Sequence, residues 1–121
     1  IIKKYDEACD ELGVIHLQHY GKDFASSGHL YLTRIPGARD EQRREIITKL
    51  AERGVNTNVH YKPLPMMTAY KNMGWDIKNF PNAYAYYENL ITLPLHTKLS
   101  DEDVEYVTEN FKAVVSAYTS K

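Results

Sequence analysis

The chain has 121 residues, 43% hydrophobic and 26% charged, with 15 basic against 16 acidic side chains and a net charge of −1. That length suits one domain with a sizeable core, and the even charge balance excludes a global field that would draw nucleic acid or a membrane surface. The longest apolar runs are a few residues, well short of the ~20 that a membrane-spanning helix needs, no signal peptide is visible, and the single cysteine, Cys9, excludes an intramolecular disulfide and fits a reducing cytoplasm.

Apolar groups at positions 1, 2, 5, 8, 9 and 12 have helical spacing, and Gly13 is a suitable stop. No cap precedes this helix. Residues 1–12 are therefore expected to be the end of a longer interdomain helix arriving from upstream, and residues 1–121 one domain of a larger protein. Val14 to Gln18 reads as a short strand, Gly21 to Gly28 as a loop, and His29 to Ile35 as a strand stopped by Pro36-Gly37. The next helix has Asp40 as its expected N-cap, Ile46, Ile47 and Leu50 as its apolar stripe, and Gly54 as its stop. Arg39, Arg43, Arg44 and Arg53 invite a phosphate-binding reading, but interspersed glutamates favour a solvated helix face.

Val55 to Tyr61 gives the clearest strand pattern. Alternation puts Val55, Thr57, Val59 and Tyr61 on one face, and Asn56, Asn58 and His60 on the other, which should meet solvent, a partner or a ligand. Lys62-Pro63-Leu64-Pro65 ends it. Met66 to Met73 has short helical character, Trp75 to Phe80 is a connector, Pro81 to Asn89 a short helix, and Leu90 to Leu93 a third short strand. Ser100 caps the last helix, with Asp101, Glu102 and Asp103 in its first turn. Val104, Val107, Phe111, Val114, Val115 and Tyr118 form its continuous stripe. With so few strands, helices must cover one face of a small sheet. The fold class is α+β, a small two-layer domain with a short three- to four-stranded sheet packed with helices.

The sequence narrows the chemistry. His16 and His19 are three residues apart but lack the cysteine or acidic partners of a metal site. Cys9 lies on a buried stripe, as a small core residue would. No nucleophile elbow, phosphate-binding loop or dinucleotide glycine pattern is present. Ten tyrosines supply rings with polar tips, suited to contact surfaces or to a shell around a small core. What remains is His60-Tyr61-Lys62-Pro63, a strand end offering an imidazole, a phenol and an ammonium before a rigid turn. Imidazole and phenol can hydrogen-bond sugar hydroxyls, and Lys62 can pair with phosphate. Alternation would put His60 and Tyr61 on opposite faces unless the chain bends at Pro63, and an exposed strand end with a packed Tyr61 is the plainer alternative.

Several ordered segments resemble one family. Gly-Val-Asn-Thr-Asn-Val-His-Tyr-Lys-Pro-Leu at 54–64, Phe80-Pro81-Asn82-Ala83, Tyr86-Tyr87, Leu93-Pro94-Leu95-His96 and Leu99-Ser100-Asp101-Glu102-Asp103-Val104 are similar to segments of the DegT/DnrJ/EryC1/StrS sugar aminotransferases, as is Ser27-Gly28-His29-Leu30-Tyr31. Gly28, where relatives commonly carry an aromatic, and Pro65, where many carry histidine, depart from the pattern and imply a subgroup with its own sugar preference. The resemblance implies the C-terminal small domain of a fold-type I enzyme. Such an enzyme acts as a homodimer in the cytoplasm and moves an amino group from glutamate to a nucleotide-linked keto-sugar, for surface polysaccharide or amino-sugar biosynthesis. It implies pyridoxal 5'-phosphate held by a large domain outside this sequence, no catalytic, cofactor-binding or metal residue within it, and no activity for this piece alone. His60, Tyr61 and Lys62 match the positions that would help hold the substrate. A non-catalytic module binding a nucleotide-sugar or a protein is the competing expectation. An RNA-binding module is disfavoured by the near-neutral charge and the lack of a basic strand face.

Overall fold

The computed structural model describes residues 1–119. Five α-helices and three strands follow in the order α1 (Ile2–Leu12), β1 (Ile15–His16), β2 (Tyr31–Arg34), α2 (Asp40–Glu52), α3 (Thr68–Asn72), α4 (Pro81–Tyr87), β3 (Leu90–Leu93) and α5 (Asp101–Val115). Short 3-10 turns occupy Leu64–Met66 and Ile77–Asn79. The sheet is antiparallel throughout, in the order β1-β2-β3, with Tyr31 opposite Leu93 and Arg34 opposite Leu90. This is the α+β architecture that the pattern predicts.

The core forms where the apolar stripes converge. α1 contributes Ile2, Tyr5, Cys9 and Leu12, α2 contributes Ile46 and Leu50, and α5 contributes Val104, Val107, Phe111, Val114 and Val115. Tyr31, Ile91 and Leu93 meet them from the sheet. Burying each large apolar side chain contributes about 1.5–3 kcal/mol. Tyrosines enter this core only with their polar tips satisfied. The Tyr5 hydroxyl donates to the Pro94 carbonyl at 2.7 Å, and the Tyr31 hydroxyl donates to Asp6 at 2.6 Å. Burial pushes the Tyr5 phenol up to about 12. It does the same to the Cys9 thiol, also to about 12, as expected of an inert core residue.

Helix ends follow local chemistry. Gly13 closes α1 in the left-handed conformation, at φ 69°, which a residue without Cβ adopts freely. Ser100 and Asp103 form a reciprocal cap on α5: each side chain accepts a hydrogen bond from the other's backbone N–H, at 3.0 and 2.9 Å. α2 differs from expectation. Arg39 is its N-cap residue, and the Gln42 side chain accepts from the Arg39 N–H at 3.0 Å. Asp40 is instead the first helical residue, because its carboxylate is engaged by Arg43 and Arg44.

Arg43 corrects the solvated-face reading. It is only 3% exposed, donates to the Tyr87 carbonyl at 2.6 Å, pairs with Asp40 and lies over the Tyr87 ring at 4.2 Å. A guanidinium tolerates this position because a carboxylate, a carbonyl and a ring face replace most of its water. Arg39 and Arg44 remain exposed.

The second correction concerns Val55 to Tyr61. This segment is no strand. It touches the sheet at one rung, Asn58 opposite Thr92, where two backbone hydrogen bonds of 3.1 and 2.7 Å form at the outer side of β3. Pairing stops there because the Asn58 side chain takes the next N–H, that of Val59, at 2.7 Å, and β3 itself ends before Pro94. The two other strands are shorter than read: Ile15–His16 within 14–18, and Tyr31–Arg34 within 29–35.

Candidate functional site

A polar recess of about 260 Å³ opens beside that single rung. His29, Asn56, Thr57, Asn58, His60 and Thr92 line its polar part, and Leu30, Leu93, Pro94 and Leu95 its apolar part. Three elements build it. The loop before β2 brings His29, the segment after α2 brings the two asparagines and His60, and β3 brings Thr92. The predicted polar side of residues 56, 58 and 60 does converge on one concavity, although no strand presents it.

His60 is held. Its Nδ1 lies 3.0 Å from the hydroxyl of Thr92, a residue only 4% exposed within β3. A buried hydroxyl fixes the ring orientation, and the Nε2 edge has no protein partner among the described residues. The Thr57 hydroxyl is buried without a hydrogen-bond partner among the described residues, a second polar atom in the recess wall with bonding capacity unused.

Tyr61 does not lie on the opposite side from His60. The peptide between them is cis, and the rings meet edge to face at 4.8 Å. Tyr61 is 68% exposed, so the packed-tyrosine alternative fails. The phenol is not part of the recess wall but stands beside the imidazole that is. Lys62 is exposed and lines neither the recess nor the apolar groove that begins at Pro63. The structure thus joins His60 with Asn56 and Asn58, sets Tyr61 against His60, and leaves Lys62 outside.

Three polar wall residues escape sequence reasoning, Thr57 because alternation puts it on the opposite face from Asn56, Asn58 and His60. His29 reads as the first residue of a strand, but β2 starts only at Tyr31, which frees His29 to face the recess. Thr92 is a lone hydroxyl in the apolar run Leu-Ile-Thr-Leu, and that break in pattern was the available signal. Gly28, just before His29, takes φ 66°. That backbone conformation accounts for a glycine there where an aromatic would be strained.

His16 and His19 serve the scaffold. His19 is buried, bonds Ser26 at 2.8 Å and stacks on Tyr31 at 5.3 Å, while His16 lies between Asp6 and Asp10 at 3.1 and 3.2 Å. Among the described residues no group of three or more His, Cys, Asp or Glu side chains is placed to hold a metal ion. None of their helices is long and apolar enough to cross a membrane.

The recess itself does not fit a pyridoxal-phosphate site. Such a site needs an amine to hold the aldehyde carbon, and no lysine lines the recess. Lys49 is engaged by the Tyr118 hydroxyl at 2.6 Å, which raises its pKa, and Lys112 pairs with Glu11.

Comparison with known proteins places these features in context. Spr1654 of Streptococcus pneumoniae, a proposed sugar aminotransferase solved in its PLP-form, superposes with a TM-score of 0.92 at 50% identity over 98% of this chain and 30% of that one. The spore coat polysaccharide biosynthesis protein SpsC of Bacillus subtilis is 30% identical over 95% of this chain and 30% of its own length. A UDP-4-amino-4,6-dideoxy-N-acetyl-beta-L-altrosamine transaminase of Campylobacter jejuni is 28% identical over 84% of this chain and 26% of its own. The chain thus spans about 30% of the length of these relatives. The family profile itself covers residues 1–112, and the chain belongs to the DegT/DnrJ/EryC1/StrS aminotransferase family.

Proposed function

We propose that this chain is the substrate-closing part of a pyridoxal-phosphate-dependent aminotransferase that moves an amino group from glutamate to a nucleotide-linked keto-sugar in the cytoplasm. Residues 1–121 are its C-terminal small domain, residues 1–12 ending an interdomain helix. The remaining polypeptide, in a homodimer, carries the cofactor. The observation that carries this reading is a family match over residues 1–112 joined to a polar recess that contains no lysine. The recess can bind hydroxyls and amides but cannot hold the cofactor's aldehyde. When bound in the complete enzyme, the cofactor supplies the electron sink for amino transfer.

This chain's own residues orient the substrate. His60 Nε2 and the Asn56 and Asn58 amides offer hydrogen bonds to a sugar ring. The adjacent Tyr61 hydroxyl extends that polar edge, and Lys62 is available to a phosphate. A single neutral hydrogen bond lost on substitution costs about 0.5–1.5 kcal/mol, hence up to ~10-fold in KM. Steady-state kinetics of His60→Ala and Tyr61→Phe in the full-length enzyme test this, with KM for the nucleotide-sugar expected to rise. Wild-type constants in both variants would reduce the segment to scaffold. The isolated chain is expected to show no transaminase turnover, and borohydride should trap no cofactor at a defined lysine. A stoichiometric adduct with turnover would overturn the division of labour.

A further inference from the structure

From residue 61 to residue 86 no side chain is buried, yet this excursion carries Leu64, Met66, Met67, Tyr70, Met73, Trp75, Ile77, Phe80, Tyr84 and Tyr86. Its two ends are fastened. At the entry, His60 is held by Thr92. At the exit, the Arg34 guanidinium donates to the Asn89 side chain and the Ala85 carbonyl at 3.0 and 3.1 Å and lies over the Tyr86 ring at 4.5 Å. In between, the backbone hydrogen bonds are local, as in Met66 to Pro63, Lys71 to Met67, Trp75 to Tyr70 and Phe80 to Ile77. The excursion is a folded loop with no core of its own.

Half of these side chains, Leu64, Tyr70, Met73, Trp75 and Phe80, line one groove of about 540 Å³ together with Pro63. Met73 is 72% exposed, Leu64 53% and Trp75 51%. A continuous apolar patch of this kind on an ordered surface marks a contact, since leaving it in water forfeits the burial that such side chains supply. The excursion carries Lys62, Lys71 and Lys78 against the single acid Asp76. The chemistry it fits is therefore an apolar patch with an acidic rim.

We infer that this groove is the docking surface for the larger remaining part of the same polypeptide, the part that carries the cofactor under the reading above, on which this inference rests. Two observations choose this occupant. The matched relatives are about three times as long as the chain, which covers 30% of them, so a large covalently attached partner exists in each. The groove also begins at Pro63, directly after His60-Tyr61-Lys62 in the chain, so a partner seated on it lies next in sequence to the proposed substrate edge. A tethered partner has an effective concentration on the order of millimolar and occupies such a surface at any dilution, unlike a second copy.

Hydroxyl-radical footprinting of the full-length protein with mass spectrometry tests the assignment. Oxidation rates at Met73 and Trp75 are read in the folded protein and again in denaturant, at a high protein concentration and at one where the protein is monomeric. At least 10-fold protection of both residues at both concentrations is the expected result. Oxidation at the denatured rate would overturn the inference. Protection lost on dilution to monomer would overturn it too, assigning the groove to a second copy. A transaminase assay on the same sample separates the two readings. A protected groove without turnover sinks the proposed function alone, and turnover with a freely oxidised groove sinks the docking surface alone.

Discussion

Helix α5 and the excursion of residues 61–86 are comparably apolar, and the structure treats them in opposite ways. In α5 the apolar groups fall at 104, 107, 111, 114 and 115, one face of a helix, and all five are buried. In the excursion they follow no period longer than a turn, and none is buried. Hydrophobicity alone does not decide burial within a chain. Periodicity decides it, because only a stripe on a long element can be covered all at once by one neighbouring surface.

The largest expected effect tests that contrast directly. Phe111 is fully buried in the core where α5 packs on α1 and α2, so Phe111→Ala should cost about 3–5 kcal/mol in denaturant melts of the chain. Trp75→Ala, which removes a larger side chain, should change stability by no more than about 0.5 kcal/mol in the same melts, since half its surface is already in water and no residue of the excursion is buried. Equal losses in the two variants would mean that the excursion is part of the core.

Arg43 carries the next effect, and it stands on the boundary between the two regions. It ties α2 to the end of α4 through the Tyr87 carbonyl and ring. Arg43→Ala removes a charged hydrogen bond and leaves that carbonyl short of a donor, for an expected loss of about 1.5–3 kcal/mol. A loss below about 0.5 kcal/mol would place the guanidinium in water. The helix face holding Arg43 reads as solvated because one-dimensional spacing shows that a charge lies on a helix, not that a ring and a carbonyl from residue 87 will meet it.

The same distinction separates the legible from the illegible elsewhere. α1, α2 and α5 are written in local terms: apolar spacing, Gly13, and the Ser100 and Asp103 cap. The sheet is less so. Val55 to Tyr61 alternates as a strand would, but a strand also needs a partner edge, and Thr92 offers it only one rung. The polar convergence of Asn56, Asn58 and His60 survives that error because it depends on which residues are polar and nearby, not on the ladder. Thr92 completes the recess through a contact to His60 across 32 residues of sequence, and His29 joins the wall from the distant loop before β2, which no local pattern encodes.

The smallest effect comes from the helix ends, where the two regions again differ. α5 has a reciprocal side-chain cap, whereas α3 and α4 have no side-chain cap. The isolated excursion helices therefore depend on their surroundings, and α5 brings part of its stability with it. Ser100→Ala should cost about 1 kcal/mol at neutral pH. Asp103 makes the cap sensitive to acid. The hydrogen bond from the Ser100 backbone N–H holds its carboxyl below the ordinary carboxylate value. A group whose folded pKa is depressed stabilises the fold above its unfolded value, about 4 for aspartate, and that contribution disappears as pH falls through the folded value. The stability gap between the wild-type chain and Asp103→Asn should therefore be present at pH 7 and shrink at pH 3. A gap of the same size at both would show that the carboxylate's charge is irrelevant to the cap, leaving the Ser100 hydroxyl alone to start the helix.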